Sequence, residues 1–156
     1  MIKTNEIIFD FETLSQDALE GVAVDCSFFL FDRSRFISDN PYTLKSAADV
    51  LKLKLSVVDQ VKNYKWTISQ DTLDWWKKQS PEAQKKIQPT DKDISVSEFA
   101  EKVLQYATSN GKINYWWSRS NTFDPIFLQR IMSSTGNSKK FAKAFPFWAV
   151  RDTRTW

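Results

Sequence analysis

The chain has 156 residues, of which 42% are hydrophobic, 15% are aromatic and only 3 are glycine, so its composition excludes a disordered or collagen-like protein. Its formal net charge of +3 permits a polyanionic partner without requiring one. It contains no histidine and one cysteine, which excludes histidine-based catalytic triads, a structural zinc site and an internal disulfide. The sequence has no signal-peptide pattern and no apolar run long enough to span a bilayer, so we expect a cytoplasmic protein with no membrane partner.

Three strands are predicted in the first part of the chain. Glu6 to Phe11 is predicted to be a short buried strand because it contains the apolar run Ile7-Ile8-Phe9, and Val22 to Phe31 is rich in β-branched and aromatic residues. Leu51 to Leu55 alternates leucine with lysine, a pattern typical of a strand with one face in water. Together these strands predict a mixed or antiparallel sheet.

The middle of the chain is predicted to be helical, and polar residues mark the helix starts. The candidate caps, with the residues that support them, are Ser69 or Asp71, Ser80 before Pro81, and Ser95 with Glu98. The pair Asn110-Gly111 predicts the end of the third helix. Ile113 to Trp117 is then a predicted strand, and Asn121 or Asp124 is a candidate cap for a last helix. This order of strands and helices indicates the α/β class.

Two acidic residues stand two positions apart at the end of the first predicted strand. Side chains two residues apart in a strand point to the same side, so Asp10 and Glu12 share one face while Phe9 and Phe11 face the core. Neighbouring carboxylates repel each other unless a cation lies between them. The pair therefore predicts a metal site, although the same pattern also occurs at a solvated strand end. Carboxylate ligands favour hard ions such as Mg²⁺ or Mn²⁺.

A third acidic residue, Asp124, lies where a predicted strand is followed by a predicted helix. Helix capping by Asn121 or Asp124, with Pro125 in the first turn, would explain this segment without a metal. A cap does not exclude metal ligation by the same segment. From the spacing alone, both interpretations stay open.

The order of these motifs resembles the DEDD superfamily of 3′-5′ exonucleases, which has an RNase H-like fold with a mixed sheet flanked by helices. Asp10-Phe11-Glu12-Thr13 and Asn121-x-Phe123-Asp124 are similar to motifs I and II of that superfamily. Further similarity to T-even phage exonuclease A and to bacterial 3′-5′ exoribonucleases lies in the segments Trp75–Ala83, Arg119–Ile126 and Arg151–Thr155. The resemblance implies one exonuclease domain over residues 1–156.

The resemblance also implies a hydrolase that removes nucleotides from a free 3′ end of single-stranded DNA or RNA by a two-metal mechanism. Asp10, Glu12 and Asp124 would be the catalytic carboxylates and would ligate two Mg²⁺ or Mn²⁺ ions. The implied substrate-binding residues are Phe11, Thr13, Trp75, Trp76, Arg119 and Asn121. One of the two tryptophans would stack on a base and the other would belong to the core. Arg151 and Arg154 would either contact phosphate or form an ion pair with Asp152.

The sequence departs from the superfamily pattern at its C-terminal end. The third motif, a fourth carboxylate preceded by a histidine or tyrosine base, would follow the Arg151–Thr155 segment, and the chain stops at Trp156. Trp148 stands four residues before Asp152, but indole cannot accept a proton at neutral pH, so this pair is not an equivalent. We therefore expect a C-terminally truncated fold that lacks one helix and leaves part of the sheet uncovered. A fragment, a degenerate form or a homodimer would each fit this expectation.

Two other functions fit parts of the pattern. A non-catalytic nucleic-acid-binding protein of the same fold would keep the three carboxylates and lack the base. A haloacid-dehalogenase-like phosphatase would need aspartate at the second acidic position, where this chain has Glu12. The first alternative stays open, and the second is disfavoured.

Overall fold

The computed structural model describes residues 3–155 and shows a five-stranded sheet with six α-helices in that part of the chain. The strands are β1 (Glu6–Thr13), β2 (Ala23–Phe31), β3 (Leu51–Lys54), β4 (Tyr115–Ser118) and β5 (Val150–Asp152). The helices are α1 (Val57–Tyr64), α2 (Gln70–Lys77), α3 (Pro81–Ile87), α4 (Val96–Ala107), α5 (Asp124–Ser134) and α6 (Ser138–Ala144). None of these helices is long and apolar enough to cross a membrane.

The sheet has the strand order β3-β2-β1-β4-β5, which places β1 at its centre. β1 pairs antiparallel with β2 and parallel with β4, while β3 is antiparallel to β2 and β5 is parallel to β4. The predicted α/β class with a mixed sheet is confirmed. Because β1 and β4 are parallel, their carboxyl ends lie at the same edge of the sheet.

The side chains of β1 alternate between two faces. Ile7, Phe9 and Phe11 are buried in the core, where the Phe11 ring centroid lies 5.9 Å from that of Phe99 in α4 and 5.8 Å from that of Phe127 in α5. The opposite face, called here the second face, carries the intervening residues Glu6, Ile8, Asp10 and Glu12. The core thus holds β1 in place, and the alternation directs both acidic side chains of motif I to the second face.

The three predicted serine caps are confirmed. Each serine hydroxyl oxygen accepts a hydrogen bond from a backbone N–H in the first turn of its helix; the pairs are Ser69 with Thr72, Ser80 with Ala83 and Ser95 with Glu98. The prediction that Asn110-Gly111 ends the third of these helices is wrong by three residues. α4 ends at Ala107, where the Thr108 hydroxyl donates to the Leu104 carbonyl, and Gly111 only turns the following loop with a φ of 90°.

The start of α5 also differs from the prediction. Its N-cap is Phe123, which makes no side-chain capping bond, so neither Asn121 nor Asp124 caps this helix. Asp124 is instead the first helical residue, and its carboxylate accepts a hydrogen bond from the backbone of β1. α5 is not the last helix, because α6 follows it. The structure also contains three elements that the sequence did not predict, namely α1, α6 and β5.

Candidate active site

The buried carboxylate of Asp124 is joined directly to the strand that carries Asp10 and Glu12. Its Oδ1 accepts a hydrogen bond from the backbone N–H of Phe11 at 3.0 Å, across 113 positions of sequence. The parallel pairing of β1 with β4 makes this possible, since the turn after β4 begins α5 beside the end of β1. The structure therefore brings the three predicted ligand residues into one neighbourhood.

The carboxylates influence each other through their charges. Burial raises the pKa of Asp124 to about 6, and the charge of Asp10 adds to this shift, although the hydrogen bond from Phe11 opposes it. Partial burial also raises the pKa of Glu12, and the charges of Asp10 and Asp25 raise it further. Such mutual repulsion is relieved by a bound cation.

Asp25 is an acidic neighbour that sequence reasoning missed. It lies directly opposite Glu12 in the antiparallel pair of β1 and β2, so both side chains lie on the second face. Burial raises the pKa of Asp25, while Lys54 and Lys86 lower it. The alternation along β2 could have placed Asp25 on this face, but its pairing with Glu12 depends on the strand register, which shifts between Glu12 and Thr13.

Carboxylate ligands suit a hard divalent cation. The side chains of the three predicted ligands, however, are not arranged as one complete coordination site. Across residues 3–155, no three aspartate, glutamate or cysteine side chains are arranged to hold one metal ion together. Asp124 is fixed by its bond to Phe11, whereas Asp10 is exposed and Glu12 is half-buried. A cation held by all three carboxylates would therefore require a different arrangement of these side chains.

The two adjacent tryptophans of α2 have different surroundings. Trp76 is buried, and its indole N–H donates to the Thr13 carbonyl at 2.9 Å, which fixes α2 to the end of β1. Trp75 is 55% exposed and meets the Trp76 ring edge to face at 5.0 Å. Trp76 is therefore the core member of the pair, and Trp75 has the ring that is accessible to a base. The Thr13 hydroxyl donates to the Ser15 carbonyl and is half-buried.

The other predicted substrate-binding residues lie in three different settings. The Phe11 ring is buried in the core, and its backbone N–H donates to Asp124. Arg119 is exposed. Partial burial raises the pKa of the Asp10 carboxyl, and the charge of Arg119 opposes that rise. Asn121 is exposed in the turn before α5. Arg154 forms the predicted ion pair with Asp152, since its Nε lies 3.0 Å from both carboxylate oxygens of that residue.

The chain resembles known exonucleases in sequence and in fold. It is 30% identical over 165 residues to the exodeoxyribonuclease of enterobacteria phage T4, with 96% of this chain and 69% of the phage protein covered. Its fold matches E. coli exonuclease I in complex with a 5cy-dA13 oligonucleotide, with a TM-score of 0.63, 12% identity and coverage of 96% of this chain and 28% of that one. It also matches exonuclease I from Methylocaldum szegediense, with a TM-score of 0.61, 10% identity and coverage of 96% and 27%.

The chain thus spans less than a third of the length of these exonuclease I chains, and at such identities the likeness shows the fold alone, which is the RNase H-like α/β fold. The sequence model of the 3′-5′ exoribonuclease Rv2179c-like domain matches residues 5–156. Because this match takes in nearly the whole chain, the protein belongs to the Rv2179c-like family of 3′-5′ exonucleases, which are hydrolases.

Proposed function

We propose that the protein hydrolyses the 3′-terminal phosphodiester bond of single-stranded DNA or RNA, with Asp10, Glu12 and Asp124 as ligands of two Mg²⁺ or Mn²⁺ ions. The observation that carries this proposal is the bond from the Phe11 N–H to Asp124 Oδ1, which unites motifs I and II at one edge of the sheet. When bound, two divalent ions would lower the pKa of a water molecule and offset the charge on the leaving oxygen.

The three carboxylates have separate tasks in this proposal. The charge of Asp10 acts on both other carboxyls, and Asp10 would contact both ions, while Glu12 would hold the ion on the side of the attacking water. Asp124 would hold the second ion, and its bond to Phe11 keeps it oriented. Ligands on a central strand and a helix start are rigidly supported, which favours a precise arrangement.

Basic residues adjoin the carboxylates on both sides, as a polyanionic substrate requires. On the β3 side, Lys54 stands opposite Asp25, and the side chain of Lys86 lowers the pKa of Glu12. On the β4 side, Arg119 is close enough to lower the pKa of Asp10. These cations would attract the phosphate backbone, and the exposed Trp75 ring would stack on a base near the end of β1.

The names of the relatives support both kinds of nucleic acid as substrates. The family takes its name from an exoribonuclease domain, whereas the phage T4 relative is an exodeoxyribonuclease. One solved structure is the zinc-bound form of E. coli exonuclease I with single-stranded DNA, and another is a complex of exonuclease I with SSB-Ct. We therefore propose a single strand with a free 3′ end as the substrate. The homodimer, the single domain over residues 1–156 and the cytoplasmic location remain predictions from the sequence.

The proposal is tested with 5′-labelled single-stranded DNA and RNA oligomers incubated with Mn²⁺ or with EDTA. We expect a ladder that shortens from the 3′ end one nucleotide at a time, only with the metal, and no shortening of a strand with a blocked 3′ end. In the Asp10→Asn variant the rate should fall below about one hundredth of the wild-type rate, because several kcal/mol of charge stabilisation are lost.

A matched control is Asp39→Asn, which removes an exposed aspartate that lies outside the site. Its rate should equal that of the wild type. If neither oligomer is shortened by the wild-type protein with Mn²⁺, the proposed function is wrong. If such a protein still binds the strand, the non-catalytic binding alternative is the one that stands.

A further inference from the structure

A cavity lined by two arginines lies on the same face of the sheet as the carboxylates, at a distance from them. This cavity of about 310 Å³ is lined by Arg33, Tyr115, Trp117, Arg151 and Thr155. Tyr115 is the strand neighbour of Glu6, and Trp117 is the neighbour of Ile8, so the cavity adjoins the opening residues of β1. The proposed hydrolysis uses none of the residues that line it.

Two guanidinium groups contact the ring of Tyr115. The Cζ atom of Arg151 lies 4.5 Å from the ring centroid, and that of Arg33 lies 5.5 Å from it. Arg33 also forms an ion pair with the fully buried Glu6, whose Oε2 lies 2.8 Å from Arg33 Nη2 and accepts from the Trp117 indole at 2.6 Å. Glu6 therefore offsets one of the two positive charges and fixes the orientation of Arg33 and Trp117.

Among residues 3–155, no carboxylate forms an ion pair with Arg151. Its hydrogen bonds within residues 3–155 go from Nη1 to the backbone carbonyls of Trp148 and Val150, at 2.9 and 2.8 Å. Carbonyl oxygens orient a guanidinium without neutralising it. Asp152, the next residue, is already paired with Arg154. Within the described part of the chain, the cavity thus combines an arginine that pairs with no carboxylate and aromatic rings, which is the combination that binds single-stranded nucleic acid.

The cavity is also in line with the proposed active site. Tyr115 and Trp117 are alternate residues of β4, so they project to the same face, and Arg119 follows just beyond the end of the strand. The last paired residues of β1 and β4 are Ile8 and Trp117, and Asp10 and Arg119 each follow two positions later. The two side chains are close enough for the charge of Arg119 to act on the Asp10 carboxyl. Tyr115 is level with Glu6, and Asp10 lies four positions farther along β1, a distance of about 13 Å.

We propose that this cavity binds a nucleotide of the substrate strand on the 5′ side of the bond that is hydrolysed, with its base against Tyr115 and its phosphate on Arg151. This inference rests on the proposed function, because it takes the 3′ end to lie at Asp10 and Glu12. Trp117 and Arg119 then line the path of the strand between the two sites. The cavity would give the protein a preference for strands long enough to reach it.

The test is equilibrium binding of a fluorescent oligothymidylate of twelve nucleotides with phosphorothioate linkages, in EDTA and at several salt concentrations. Arg151→Gln should weaken binding about fivefold or more and reduce the steepness of log K against log salt by about 0.7, the value for one lost phosphate contact on a single strand. Tyr115→Leu should weaken binding by a similar factor with an unchanged salt slope, since stacking is not ionic. Tyr115→Phe should keep wild-type affinity.

The matched control is Arg35→Gln, which removes an arginine that lies 3.9 Å over the Tyr42 ring at another place on the molecule. Its affinity and salt slope should stay within about twofold of the wild type, because a single remote charge contributes little at moderate salt. The inference is overturned if Arg151→Gln behaves like Arg35→Gln. It is also overturned if Tyr115→Leu, shown by circular dichroism to be folded, binds like the wild type, or if Arg151→Gln changes only the oligomeric state.

Failure of this inference differs from failure of the proposed function. The binding assay contains no metal, so Asp10→Asn should bind the oligomer at least as well as the wild type. If hydrolysis is absent while Arg151→Gln still loses affinity and salt slope, the cavity binds nucleic acid and the catalytic proposal is wrong. If hydrolysis proceeds and a dinucleotide and the long oligomer are cut equally well by the wild type and by Arg151→Gln, only the cavity proposal is wrong.

Discussion

The indole N–H of Trp76 donates to the backbone carbonyl of Thr13 at 2.9 Å, one residue beyond Glu12. Trp76→Phe keeps an aromatic ring but removes the donor, and we expect a loss of about 1 kcal/mol in the free energy of unfolding. Exonuclease activity should fall more than this loss predicts, because the end of β1 is no longer fixed. Urea denaturation and initial rates measure the two effects. Trp66→Phe, in another buried tryptophan, is the control that should affect stability alone.

The exposed Trp75 ring is predicted to stack on a base. Trp75→Ala should weaken binding of a single strand about fivefold or more, as the loss of one stacked base implies, with the stability unchanged within about 0.5 kcal/mol. Trp75→Phe should restore most of the affinity. Fluorescence anisotropy in EDTA measures the binding, and equal affinity for all three proteins would contradict the stacking role.

Asp25 is expected to tune the metal site without being essential to it. Asp25→Asn removes the negative charge that stands opposite Glu12, so the cation loses attraction and the Mn²⁺ concentration for half-maximal rate should rise several-fold. The maximal rate should change little. A titration of the rate with Mn²⁺ separates the two effects. A collapse of the maximal rate, as in Asp10→Asn, would make Asp25 a ligand.

The raised pKa of Asp124 predicts a specific dependence of stability on pH in the metal-free protein. Because burial raises this pKa from 3.8 to about 6, the folded state binds the proton more tightly than the unfolded chain. Stability from this group is then present below pH 4 and is lost as the pH rises through 6, a loss of about 3 kcal/mol at most.

The variant Asp124→Asn isolates this effect, because the amide oxygen still accepts from the Phe11 N–H and the side chain does not ionise. In EDTA, the free energy of unfolding of the variant minus that of the wild type should increase as the pH rises from 4 to 7. Urea denaturation across this range gives the difference directly. Parallel pH profiles for the two proteins would contradict the assignment.

Gln60 is a fully buried polar residue that holds the start of β2. Its amide accepts from the Ala23 N–H at 2.9 Å and donates to the Ala23 carbonyl at 2.7 Å and to the Ser56 carbonyl at 3.1 Å. Gln60→Leu leaves buried backbone groups unpaired and should lower the free energy of unfolding by about 3 kcal/mol. Gln105→Leu, at an exposed glutamine of α4, should change it by less than about 0.5 kcal/mol.

The features that could be predicted from the sequence are those set by local chemistry. Serine hydroxyls before apolar helical stretches identified three helix starts, and the alternation of β1 placed Asp10 and Glu12 on one face. The meeting of Asp124 with that strand was expected from the resemblance, and it depends on two parallel strands that end at one edge. For the helix starts and the face of β1, a short stretch of sequence contains the relevant information.

The features that were missed depend on contacts between distant segments. α1 contains three valines, a residue typical of strands, and forms a helix with the Ser56 cap and with buried Gln60 bonded to β2. β5 has only three residues and exists through its pairing with β4. The choice between Trp75 and Trp76 as the core residue likewise required the docking of α2 on Thr13.

The bond between Phe11 and Asp124 has a consequence for the order of folding. It joins residues 113 positions apart, and the parallel pair of β1 and β4 that positions it is equally non-local, so the chain must close a very long loop before the site exists. Metal-binding competence should therefore arise in the final cooperative step of refolding. The amide proton of Phe11, protected from solvent exchange by this bond, would serve as a direct reporter of that step.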